Sequence, residues 1–221
     1  MRRIFLAAAA CLICASVASA ADAPPPTPQE TERRCHDYTL HADEQIAACT
    51  RIMGLYGTAT ANQGLLAIAY LARGSAHYRK GELGPASSDF RQAIEIDTMA
   101  IASGQPEAAQ YNERCWARAV AMIELNEALR DCNEALRLMP SSVDALDSRA
   151  FLQLRRARFR DALADYDAAL KANPMDTYSL YGRAVAKRRT GDADGATADI
   201  MAATSAQQGI AAEFLSYGIT P

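Results

Sequence analysis

Apolar residues in the stretch NERCWARAVAMIELNEALRDCNEAL, residues 112 to 136, return every three or four places with polar residues between them. That spacing lays one buried stripe along an α-helix, and the stretch is long enough for two helices in succession. The pattern then repeats. Copies beginning at 109, 143 and 177 follow one another at a spacing of 34 residues, and 67–100 is an earlier copy of the same unit. Eight extra residues, Ile101 to Ala108 (IASGQPEA), separate the first copy from the second, where Gly104 and Pro106 predict a loop.

Within this frame small residues recur at fixed places. Position 20 is Ala86, Ala128, Ala162 and Ala196, and position 27 is Ala93, Ala135, Ala169 and Ala203. Such residues let two helices approach closely. Position 24 holds Phe90, Cys132, Tyr166 and Ile200, and position 8 holds Gly74, Trp116, Ala150 and Ala184. Position 32 is Thr98, Pro140, Pro174 and Gln208, so proline ends the second helix in the two middle copies.

This arrangement of small residues at 8, 20 and 27, a bulky one at 24 and proline at 32 resembles the tetratricopeptide repeat family, most closely in DALADYDAALKANP, 161 to 174. The resemblance implies an all-α fold, a right-handed α-solenoid of stacked antiparallel helix pairs sharing a continuous core. Four copies are expected, at 67–100, 109–142, 143–176 and 177–208. The last departs from the pattern after Ala203. Residues 35–66 read as an extra helical hairpin and loop, with Gln45, Cys49 and Ile52 standing at positions 20, 24 and 27. Residues 209–221 read as a capping helix, with Ile210, Phe214 and Tyr217 on one face and Gly218 ending it. A membrane-inserting helix is the alternative there, but the segment lacks a basic polar face.

Position 7 is Arg73, Arg149 and Arg183 in three copies, and position 23 is Asp89, Asp131, Asp165 and Asp199 in all four. In a hairpin turning near position 15 these places lie at one height, which predicts an arginine to aspartate pair in each of those three copies. The copy at 109–142 breaks both rules together, with Cys115 at position 7 and Cys132 at position 24. Two linked exceptions at facing places are what a cross-link requires, so a disulfide from Cys115 to Cys132 is expected. The alternative is a pair of buried free thiols packing as small hydrophobes. Cys35 and Cys49 stand seven residues either side of Ala42 and are the complementary pair.

The N-terminus changes the picture of where the chain works. Met1-Arg2-Arg3, an apolar run from Ile4 to Val17 and Ala18-Ser19-Ala20 have the order of a secretory signal peptide, 1–20, cut after Ala20. The run is shorter than the roughly 20 residues a membrane helix needs. A lipoprotein cut before Cys11 or Cys14 is the other processing route. Export to a bacterial periplasm, or secretion, is expected and suits the even count of four remaining cysteines, which favours disulfides. Residues 21–34, ADAPPPTPQETERR, read as a flexible proline-rich leader.

Without Arg2 and Arg3 the chain keeps 21 of its 23 basic residues against 26 acidic ones, a balance of −5. Nucleic acid is therefore not an expected partner, because phosphate binding leans on a basic surface. No catalytic constellation stands out, and neither cofactor nor metal is expected. Cys35, His36, His41 and Cys49 are the nearest thing to a zinc set, but adjacent Cys35 and His36 point to different helix faces. His77 reads as a core or rim residue. Asp192-Ala193-Asp194-Gly195 lacks the glutamate that would close a calcium loop, since Met201 stands in that place.

The resemblance further implies a concave groove lined by the first helix of each copy at positions 2, 5, 9, 12 and 13. Mapped onto this chain, that surface includes Tyr78, Arg79, Glu113, Asp144, Asp147, Phe151, Arg155, Tyr178, Tyr181, Arg188 and Arg189, with Arg118 at its edge. Aromatic and arginine side chains together favour interface hot spots. The expected role is a non-catalytic exported scaffold that binds a protein or extended peptide there. A self-associating envelope protein and an accessory subunit of an envelope enzyme, such as a hydrolase on envelope polymer, are the alternatives.

Overall fold

A computed structural model describes residues 25–57, 62–104 and 106–221, and the signal and lipoprotein expectations for residues 1–20 lie outside them. The described residues form eleven helices and no strand: α1 (Pro28–Cys35), α2 (Ala42–Tyr56), α3 (Gln63–Arg79), α4 (Leu83–Ala102), α5 (Ala108–Ala121), α6 (Leu125–Leu138), α7 (Val143–Arg155), α8 (Phe159–Ala172), α9 (Thr177–Thr190), α10 (Ala193–Ala206) and α11 (Ile210–Ser216). Consecutive helices pair as hairpins. The first helices of the copies, α3, α5, α7 and α9, also touch one another in sequence, so they form an inner layer and the second helices an outer one. The fold is an α-solenoid.

Local chemistry sets the boundaries. The Ser142 hydroxyl accepts from the Ala145 N–H (3.3 Å) to start α7, Asp176 accepts from Ser179 (2.8 Å) to start α9, and Asp192 accepts from Gly195 (2.9 Å) to start α10. The Asp192 to Gly195 stretch is thus a helix start. Position 15 ends the first helix with left-handed backbone at Gly81, Ala157 and Gly191.

Packing follows the small residues. Ala86, Ala93, Ala128, Ala135, Ala162, Ala169, Ala196 and Ala203 are all buried. Large and small side chains alternate across the hairpins: a Cβ on Gly74 would meet the Phe90 ring at 3.0 Å, and one on Gly182 would collide with Tyr166. Where position 8 carries the bulky Trp116, position 24 shrinks to Cys132.

Two departures from the sequence reading concern helix ends. Part of the expected flexible leader is ordered: Thr27 caps α1 by accepting from the Glu30 N–H (3.1 Å), Pro28 takes the first turn, and Thr31 and Cys35 are buried. The loop after the first copy starts later than Ile101, because α4 continues through Ala102. Position 32 there is Thr98 rather than proline, and its hydroxyl donates to the Ile94 carbonyl (2.6 Å) without breaking the helix.

Arginine to aspartate pairs clasp the copies. Arg73 donates to both oxygens of Asp89 (2.8 and 2.8 Å), Arg149 to Asp165 (2.8 and 2.6 Å) and Arg183 to Asp199 (2.8 and 2.8 Å). Each guanidinium also reaches back to the preceding hairpin, at Thr50 (3.1 Å), Asn133 (2.8 Å) and Asp167 (3.0 Å) respectively. One planar fork therefore fixes both the hairpin and the stacking step, which a point charge would not. Cys115 and Cys132 are joined by a disulfide with Cα atoms 5.4 Å apart, and Cys35 is joined to Cys49 at 4.6 Å. The second disulfide ties α1 to α2 and consumes the cysteines of the imagined zinc set.

Candidate functional site

The inner layer supplies the candidate surface, and the chain's own C-terminus lies on part of it. α11 packs against α9 and α10, as a cap would, and also against α3 at the far end of the array. An inner layer that touches one short helix from both ends must curve around it. Phe214 enters a box of Phe151, Tyr178 and Tyr181, with ring centroids 6.2, 5.9 and 4.8 Å away. Tyr217 enters a second box of Tyr78, Trp116 and Phe151 at 5.5, 6.2 and 5.4 Å.

Three of the arginines expected in the groove are engaged as well. Arg79 pairs with the buried Glu213 (3.4 Å) and donates to Gln45 (2.6 Å) and the Tyr38 carbonyl (3.3 Å). Arg155 donates to the Tyr217 carbonyl and Arg189 to the Thr220 carbonyl (3.0 Å). Arg188 is exposed. Arg118 departs from the expected groove edge: it is buried and bonds Asp131 and Glu124 (2.9 Å), so it serves the hairpin. Phe151 and Tyr181 are likewise buried, beneath Phe214. Helical position alone put these residues on the inner layer, and the C-terminal segment covers them there.

Beside that segment a cavity of about 320 Å³ stays open on the same face. α5 supplies Asn112, Glu113 and Trp116, α7 supplies Asp144, Asp147 and Ser148, and Leu71, Tyr178 and the Tyr38 loop complete the wall. Glu113, Asp144 and Asp147 have no basic side chain within ion-pair distance among the described residues, and the Asn112 side-chain amide oxygen Oδ1 is buried without a partner. Burial, helped by the charge of Asp97, pushes Glu113 up to about 8. Burial, helped by Asp176 and Asp144 and opposed by the Ser179 hydroxyl (3.1 Å), pushes Asp147 up to about 8 as well. Behind the wall Asp97, 1% exposed, is pushed up to about 7 by burial, with Arg114 pulling it down and Asp131 raising it. Tyr38 is pushed up to about 12 by burial first and then Glu213.

Acceptors gathered between aromatic walls suit a group that is cationic and rich in N–H donors. The sequence placed Glu113, Asp144 and Asp147 on this surface but gave no sign of Tyr38, which arrives from the N-terminal hairpin. The half-buried His77 donates from Nδ1 to the Glu82 carboxylate (2.6 Å). Among the described residues no group of three or more His, Cys, Asp and Glu stands ready to hold a metal ion, and no helix is long and apolar enough to cross a membrane.

No family model matches the chain, and none of the curated proteins matches it. Solved structures do. The chain is similar to TTC0263, a thermophilic tetratricopeptide repeat protein of Thermus thermophilus, with a TM-score of 0.60 at 16% identity over 87% of this chain and 97% of that one. It is also similar to a tetratricopeptide repeat protein from Parabacteroides merdae (TM-score 0.48, 18% identity, 86% and 73% covered) and to YrrB, described as a tetratricopeptide repeat protein with an unusual peptide-binding site (0.44, 15%, 80% and 84%). The likeness to TTC0263, together with the hairpin order and the buried alanines, shows that this chain has the tetratricopeptide repeat fold.

Proposed function

We propose that this chain is an exported, non-catalytic scaffold that binds a protein or peptide partner on its inner face, and that the anchor is a basic side chain of that partner seated in the acidic cavity. The observation that carries this reading is the set Glu113, Asp144 and Asp147, which gathers carboxyl groups around a cavity with aromatic walls, with no basic partner for them among the described residues. Glu113 and Asp147 are half-buried and Asp144 is exposed; a lysine or arginine brought by a partner would favour the ionised form of the first two and pair with the carboxylates. Trp116 and Tyr178 would hold the stem and face of such a group. Two disulfides in one chain support work in an oxidising compartment.

Selection of displayed peptides on the purified chain tests this. Enriched peptides should carry a lysine or arginine at one fixed place, and Asp147→Asn with Glu113→Gln should weaken them at least about tenfold, roughly 1.4 kcal/mol. Peptides with no basic preference, or binding unmoved by those substitutions, would remove the cavity from the account.

A further inference from the structure

The C-terminal segment makes contacts that a plain cap does not need. Covering the exposed end of the last hairpin requires only α9 and α10, yet Glu213 reaches Arg79, a residue 134 places earlier in the chain. Three consecutive kinds of recognition are spread along one helical face. The Glu213 carboxylate meets the Arg79 guanidinium, the next residue, Phe214, fills one aromatic box, and the residue four places after Glu213, Tyr217, fills the other. Two arginines then hold carbonyls where the chain leaves, at Tyr217 and Thr220.

The segment has the build of a ligand that can leave. α11 is seven residues long, too short to persist as a helix without the surface beneath it. Left-handed glycines bracket it, Gly209 at φ 96° and Gly218 at φ 72°, so it joins α10 through a sharp bend. Its one charged anchor, Glu213, is buried against a single arginine at 3.4 Å, and the desolvation of that carboxylate offsets part of what the two aromatic rings contribute.

We propose that residues 209–220 are an internal ligand of the inner face, and that the same aromatic surface takes from a partner protein a short helix of like chemistry, an acidic residue followed by aromatics one and four places on. This rests on the inner face being a recognition surface; the two aromatic boxes share Trp116 and Tyr178 with the acidic cavity and use none of its carboxyl groups. Tethering gives the internal segment an effective concentration on the order of millimolar, so a partner helix must compete with it.

The test uses the full chain and a fluorescent synthetic peptide of residues 207–221. Phe214→Ala with Tyr217→Ala, which weakens the tethered segment and leaves the receiving boxes intact, should bind the peptide at least ten times more tightly than the unaltered chain. A peptide with the same two aromatics replaced by alanine should not bind. Equal affinity in altered and unaltered chains of the same helicity would overturn the proposal. If the altered chain fails to fold, hydrogen exchange on the unaltered chain decides: amides at 210–219 should open while α7 and α9 stay protected, and opening only together with them would show a fixed structural element. A basic peptide from the cavity selection, run beside it, separates the two readings. Binding of the basic peptide without the 207–221 peptide overturns this proposal alone, and the converse overturns only the cavity.

Discussion

Arg114 donates to both carboxylate oxygens of Asp131 at 2.9 and 2.5 Å, from one place before the position at which the other copies keep their arginine. It reaches back to Thr98 (3.0 Å) as well, so it performs both halves of the clasp that Cys115 had displaced. Arg118 donates to the same aspartate from one turn later, leaving Asp131 with two guanidinium partners where Asp165 has one.

That asymmetry predicts unequal costs. Asp131 is 4% exposed, and neutralising it removes the carboxylate shared by the buried Arg118 and the half-buried Arg114. Asp131→Asn should lose about 3 kcal/mol, within the range for breaking a buried pair, whereas Asp165→Asn, beside a more open Arg149, should lose about 1 kcal/mol. Urea unfolding of both variants gives the comparison. Equal losses would mean that Arg118 contributes nothing to the site.

The disulfide at the same hairpin makes a separate claim. Replacing Cys115 and Cys132 together by alanine removes a bond closing a 17-residue separation, and should lower stability by about 3 kcal/mol with helicity retained. The neighbouring Trp116 packs tilted against Phe151 with ring centroids 4.7 Å apart, which offers a local readout by its fluorescence. A variant as stable as the parent would reduce the bond to a packing contact.

Turn geometry predicts a gain. Ala157 holds φ at 56° at the place where two other copies have glycine, a conformation that costs a residue with a Cβ on the order of 1 kcal/mol. Glycine gives back part of that through the greater freedom of the unfolded chain, so Ala157→Gly should stabilise by roughly 0.5 kcal/mol. A rise in thermal midpoint checks it, and a fall would mean that the Ala157 methyl makes compensating contacts.

These same residues show what could be read in advance. The hairpins were legible because a 34-residue period fixes which alanines meet, and the three arginine pairs because equal height in a hairpin depends only on sequence distance. Arg114 was missed through a strict comparison at position 7, although an unchanged Asp131 pointed to a substitute nearby. α1 was missed because polarity outweighed a start signal that was present, Thr27 and Pro28 followed by Glu30. The apolar face of 210 to 217 was also plain. Its destination was not, because the same face fits the end of α10 or an inner curve, and the curvature comes from stacking that no single segment encodes.

The acidic cavity leads to a prediction about pH. Glu113 and Asp147, both pushed up to about 8, hold protons in the folded chain that their unfolded counterparts release near pH 4, and Asp97, at about 7, adds to them. More protons are then bound folded than unfolded between about pH 4 and 8. The sign follows: stability is highest at the acid end of that window and declines as pH rises through it. His36, which burial lowers below 6.5, works in the opposite direction at the acid end, so the decline should be clearest from about pH 6.5 to 8.5. Urea midpoints at those two values should differ, and Glu113→Gln with Asp147→Asn should flatten the difference. A basic peptide in the cavity favours the ionised carboxylates, so its binding near pH 7 should release protons, read as a calorimetric heat that varies with the ionisation enthalpy of the buffer. A midpoint that rises with pH, or binding with no proton release, would mean that these carboxyl groups are already charged in the folded chain.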